Sequence, residues 1–211
     1  MGNLIPTPIK FMGSTRDMCI KKEDSDKIKG FLNLDHEVGG CMRFNCKTNK
    51  LEISDIVDGK GSSIDIDICK FEFHCHPNPC KTKSACHLGV PSGSDMKNIA
   101  ERSGEGNCLH IVFAHEGMYA CSCAKMRKEL DSREFEERKH NILNKLKKEQ
   151  DRFYGSGNEY PYILFQKMWM NIVNSSQSVF RVQYIPRRLF KTVNALDLIA
   201  VDEACWTCTE H

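Results

Sequence analysis

Two histidines flank a cysteine in the segment Phe73-His74-Cys75-His76-Pro77. On an extended strand, residues two apart share a face, so His74 and His76 present two imidazoles to one point. Downstream, Ser92-Gly93-Ser94-Asp95 sits where a helix is expected to start, and Asp95 can add an oxygen ligand. Two imidazoles and one carboxylate leave the fourth position of a tetrahedral zinc ion open, the mark of a catalytic rather than a structural site. Hydrolysis through such an ion also needs a general base. Glu37 is the candidate, at the head of Glu37-Val38-Gly39-Gly40, where the glycines permit close backbone approach.

The elements that must position these groups follow from periodicity. Residues 24–34 have helical spacing, with Ser25 a possible cap. Val38 to Phe44 and Leu51 to Val57 read as strands. Ile64, Ile66 and Ile68 alternate with polar residues, as in a half-buried strand. The phase then shifts near Cys69-Lys70: Phe71, Phe73 and Cys75 share one face, and Glu72, His74 and His76 the other. Ser94-Asp95 should cap a short helix, Met96 to Ser103. Cys108 to Ala114 and Met118 to Cys123 form a hairpin. The expectation is an α/β layered domain.

Residues 127–153 are charge-dense with a sparse apolar stripe of Leu130, Phe135, Ile142, Leu143, Leu146 and Phe153. This predicts one long surface helix, either a solvated face or a partner-binding arm, with pairs such as Glu134/Arg138 at i, i+4. Tyr160 to Val173 reads as a buried helix, Val179 to Ile185 as a strand, and Leu189 to Val201 is ambiguous. The organisation expected is a core over residues 1–126, the charged helix over 127–154, and a C-terminal elaboration over 155–211 packed on the core.

The ordered set Glu37, His74, His76, Pro77, Ser92, Asp95 resembles the JAMM (MPN-plus) zinc metalloprotease motif. Glu116-Gly117-Met118-Tyr119 resembles the hairpin that follows it, so the likeness spans roughly residues 25–123. It implies a cytidine-deaminase-like α/β sandwich and a deubiquitinase-like isopeptidase that removes ubiquitin or a ubiquitin-like protein from lysine. His74, His76 and Asp95 would bind zinc, Glu37 would be the acid/base, and Ser92 would hydrogen-bond the oxyanion. The chain departs from the pattern between Pro77 and Ser92, where 14 residues intervene, about twice the family's usual spacing. Glu37 also lies nearer His74 than in many members. The alternative is a non-catalytic structural or assembly protein on the same scaffold, for example a component of a large viral particle. In that case the helix over 127–153 would dock it.

Composition narrows the field. Thirty Lys and Arg against 28 Asp and Glu give a net charge of +2, which indicates no broad nucleic-acid footprint. No run reaches the roughly 18 apolar residues of a membrane span. Met1 to Lys10 does not read as a signal peptide. The 12 cysteines are therefore expected as reduced thiols in an intracellular, cytoplasmic setting, or within a virion if the source is viral. Cys41, Cys46, Cys121 and Cys123 read as core or edge residues. Cys69, Cys80, Cys86 and His87 could form a second zinc site, although the Cys80-x5-Cys86-His87 spacing matches no standard ligand ladder, and Cys205-x-x-Cys208 with His211 could be half a zinc site or a redox pair.

Overall fold

The computed structural model describes residues 15–45, 47–48, 50–60, 64–77, 89–155, 161–187 and 199–202. The chain forms a mixed α/β structure around a mostly antiparallel sheet, with five α-helices among the described residues. The strands are β1 (Thr15–Ile20), β2 (Val38–Asn45), β3 (Lys50–Ile53), β4 (Val57–Asp58), β5 (Phe71–Cys75), β6 (Leu109–Phe113), β7 (Gly117–Ser122), β8 (Arg181–Pro186) and β9 (Ile199–Asp202). The helices are α1 (Lys22–Phe31), α2 (Gly93–Arg102), α3 (Ala124–Glu129), α4 (Ser132–Gly155) and α5 (Tyr162–Val173). The strand order is β8-β7-β6-β5-β2-β3-β1-β9, with β4 also paired to β2. Only β5–β6 and β1–β3 run parallel. No helix of the described residues is long and apolar enough to cross a membrane.

Alternation along β6 and β7 divides the core. Leu109, Ile111, Phe113, Met118 and Ala120 pack with Ile28 of α1 and with Leu32, the residue that caps its C-terminal end. Val112, Tyr119 and Cys121 pack with Met96 and Ile99 of α2, Phe135, Ile142 and Leu146 of α4, and Phe165 and Trp169 of α5. Helices thus cover both faces of the sheet, as expected when each apolar face must be buried. Helix α1 is fastened to the sheet by a buried carboxylate, since Asp24 accepts the Ile53 N–H at 2.9 Å.

Several elements differ from the sequence reading. Helix α1 starts at Lys22, which puts Ser25 inside it rather than at its cap. Residues 64–69 form no strand, and of the three isoleucines Ile66 is buried while Ile68 is exposed. The alternation had no free edge to join, because β2 already pairs β5 on one side and β3 and β4 on the other. The charged helix is broken into α3 and α4, and Asp131 restarts it by accepting the Glu134 N–H at 2.8 Å. Its apolar stripe is packed on the core, and Glu134 pairs with Arg138 as expected. Helix α5 is amphipathic, not buried all round: Phe165 and Trp169 face inward while Ile163, Leu164 and Met168 are exposed. The ambiguous stretch ends in β9, antiparallel to β1.

The expectation of reduced thiols fails for three of the described cysteines. Cys41 of β2 is bonded to Cys69, with Cα atoms 6.0 Å apart and a sequence separation of 28. Cys108 is also disulfide-bonded. Cys69 is therefore not a candidate metal ligand. Cys75, Cys121 and Cys123 are free and buried. The pairing was hidden because spacing carries no information on which distant cysteines meet.

Two outcomes follow. Replacing both Cys41 and Cys69 with alanine should lower unfolding stability by about 2–4 kcal/mol, read by urea denaturation. Gly40→Ala should cost about 1–3 kcal/mol in the same assay, because the new Cβ would lie 2.0 Å from the Asp55 carbonyl oxygen.

Candidate metal centre

The sheet brings the predicted ligands together at one end of β5. Antiparallel pairing sets Gly39 of β2 opposite His74, and extending that register by two residues places Glu37 across from His76. Gly39 is required there: a Cβ would lie 2.5 Å from the Phe73 carbonyl oxygen and 2.9 Å from His74 Cβ. The glycine thus lets β2 lie directly against the first ligand. On the other side, the His76 N–H donates to the Phe113 carbonyl at 2.8 Å, which extends the β5–β6 ladder past the strand end.

Asp95 comes from α2, whose start differs from the sequence reading. The helix begins at Gly93 and its cap is Ser92. Ser92 Oγ accepts the Asp95 N–H at 3.1 Å, and Asp95 Oδ2 accepts the Ser92 N–H at 2.6 Å. This is a reciprocal capping box with aspartate in the third helical position. It also points the Asp95 carboxylate at the histidines. His74 Nε2 lies 2.9 Å from His76 Nε2 and 3.7 Å from Asp95 Oδ1, and His76 Nε2 lies 3.5 Å from Asp95 Oδ2.

These separations bracket the ligand–ligand edge of about 3.3 Å that a tetrahedral ion with bonds near 2.0–2.1 Å requires. The donor set fits as well: two imidazole nitrogens and a carboxylate oxygen are ligands for a borderline divalent ion. His74, His76 and Asp95 could therefore hold a metal ion, with all ligand atoms within 4.8 Å of one another.

Electrostatics favour the ligating forms. Burial holds the His74 imidazole well below its ordinary pKa of 6.5, so it stays neutral and able to ligate. For Asp95, burial pushes the carboxyl up, but His74, His76 and the Ser92 contacts outweigh it and hold the group far below the usual range. Glu37 goes the other way: burial raises it, the His76 charge opposes, and Asp95 adds to the rise. A carboxyl with raised proton affinity beside the ligands is suited to accept and return a proton.

The remaining candidates sort clearly. Ser92 lies at the site, engaged as a helix cap, with its Oγ also 2.7 Å from Ser94 Oγ. Cys75 is turned to the opposite sheet face, and burial pushes its thiol up, so no thiolate nucleophile sits between the histidines. Cys80, Cys86 and His87, most of the Pro77–Ser92 loop, and Cys205, Cys208 and His211 lie outside the described residues.

Sequence reasoning missed the groups behind the ligands. Glu72, His110 and Arg102 are joined to one another and to His74. The signal was partly present, since Glu72 shares the alternating face of His74 and His76. Glu116 was noted only as part of a hairpin. It accepts hydrogen bonds from the Tyr119 and Tyr162 hydroxyls, and Gly89 packs directly against its carboxylate, which would have to shift to admit a Cβ. No protein-family model, curated protein or solved structure matches the chain.

The expected outcome is binding of one zinc ion per chain, counted by native mass spectrometry. His76→Ala should weaken binding by more than about 100-fold, beyond what changes in outer-layer residues cost.

Proposed function

We propose that the chain is a zinc-dependent metallopeptidase of JAMM type, an isopeptidase acting on a ubiquitin-like protein joined to lysine. The single observation that carries this reading is the convergence of His74 Nε2, His76 Nε2 and the Asp95 carboxylate at a strand end, with the proton-avid Glu37 beside them. Helices on both faces of the sheet, and ligands drawn from the end of β5 and the start of α2, are compatible with the sandwich that the motif implies.

His74, His76 and Asp95 would hold the zinc ion, which when bound would supply Lewis acidity and make water easier to deprotonate near neutral pH. The chain's own groups do the rest. Glu37 takes the proton from the attacking water and delivers it to the departing lysine amine. Ser92 Oγ accepts from the Asp95 N–H and can accept from the Ser94 hydroxyl. Its own hydrogen is then free to point at the oxygen on which negative charge develops. His74 is buried from water, while His76 and Asp95 keep part of their surface open on the side a substrate would approach.

Glu37→Gln should retain zinc yet lose about 10²–10⁴-fold in cleavage of isopeptide-linked diubiquitin, because only proton transfer is removed. Wild-type cleavage by a zinc-loaded Glu37→Gln protein would overturn the reading. A docking scaffold on the same fold would need neither the metal nor Glu37, so the same measurement separates the two.

A further inference from the structure

The second ring nitrogen of His74 opens a line of buried polar side chains. His74 Nδ1 lies 2.6 Å from His110 Nε2, and His110 Nδ1 lies 3.0 Å from Glu72 Oε2. The other carboxylate oxygen of Glu72 accepts from the Arg102 guanidinium at 3.0 Å and from the Cys69 N–H at 3.2 Å. Glu72 has no exposed surface, and His74 and His110 are 3% and 7% exposed. The backbone fixes the arrangement: Glu72 and His110 are register partners on parallel β5 and β6, and His74 is the next residue on the same face of β5.

We propose that Glu72 and His110 are positioning residues of the metal site, a carboxylate–imidazole chain that holds His74 with its hydrogen on Nδ1 and its Nε2 lone pair toward the ion. The proposal rests on the metal-binding reading of His74, His76 and Asp95. Its direction follows from which atoms can donate. An ionised carboxylate only accepts, so the hydrogen between Glu72 and His110 belongs to His110 Nδ1. With that hydrogen on Nδ1, His110 presents its Nε2 to His74 as the acceptor, and the proposal assigns the hydrogen between the two rings to His74 Nδ1. A neutral His74 is left with a bare Nε2, the atom that faces His76 and Asp95.

Arg102 makes this sequence self-consistent. It sets a positive charge against Glu72, so His110 need not supply one. The Glu72–Arg102 pair alone would be enough to join β5 to α2. The His110 contact adds nothing to that bridge, yet it ends on a ligand. Partners of this kind orient ligating histidines and raise their basicity, and their loss usually costs 10–100-fold in metal affinity.

The test is long-range proton–nitrogen NMR on the metal-free protein with 15N-labelled histidine, paired with zinc affinity by competition against a chromophoric chelator. Expected is a wild-type His74 with a protonated Nδ1 and a bare Nε2. His110→Phe should shift His74 toward the other tautomer and weaken zinc by about 10–100-fold. His110→Gln, whose amide oxygen can accept the same hydrogen, should restore the tautomer and part of the affinity. Zinc uptake by a wild type whose His74 carries its hydrogen on Nε2 overturns this proposal alone. An unchanged tautomer and affinity in folded His110→Phe does the same. Absence of zinc uptake by the wild type overturns the metal reading and this proposal with it. If circular dichroism shows that His110→Phe does not fold, the wild-type tautomer and the His110→Gln affinity decide.

Discussion

A carboxylate with no exposed surface, in the middle of a sheet, sets the geometry of everything around it. Glu72 cannot remain ionised there unless its neighbours replace water, since an unmatched buried charge costs several kcal/mol. Burial works to raise its pKa, and the contacts from His110, the Cys69 N–H and Arg102 more than offset that. Arg102 is the last residue of α2, so satisfying Glu72 anchors that end of the helix over the strand. From Arg102 back to Asp95 the helix rises about 10 Å. From Glu72 forward to His76 the strand rises about 13 Å. The helix therefore runs against the strand, and its first turn arrives where β5 delivers the two histidines. Asp95 faces His74 and His76 because Arg102 faces Glu72.

The same residues serve stability and chemistry at the other end of α2. Ser92 and Asp95 cap each other, and the N-terminal end of a helix favours a negative charge. Asp95 is thus held as an anion before any ligand arrives. Its Oδ2 takes the Ser92 N–H, while Oδ1 is the closer approach to His74. A loop that misplaced the cap would misplace the carboxylate, so the helix start and the site cannot drift apart.

What the sequence disclosed follows from how local each signal was. The alternation in Phe71 to His76 is a property of adjacent residues, and it placed Glu72, His74 and His76 on one face, where the structure has them. The Ser-x-x-Asp spacing was present in the sequence, but the cap was expected at Ser94-Asp95, whereas the helix starts at Gly93 with Ser92 as its cap. The α/β class was legible because strands and helices announce themselves by period. Long-range facts were not. Cys41 meets Cys69 through the stacking of β2 beside the segment that enters β5, and no spacing rule carries that. The isoleucine alternation at 64–68 was a true local pattern that lost to topology, since both edges of β2 were taken. His110 was hidden inside an apolar strand. Its meaning depends on the parallel register with β5, which only the folded chain supplies.

The chain between Pro77 and Gly89 leaves and rejoins a rigid frame. His76 is held by the Phe113 carbonyl on the way out, and Gly89 is seated against Glu116 on the return. The tyrosines of β7 and α5 hold that carboxylate in turn. Between two such fixed posts, doubling the length of a connection costs only about 0.6 kcal/mol. A long connection there is therefore thermodynamically cheap for the ligand cluster. Its length could change between related chains while the ligands stay where they are.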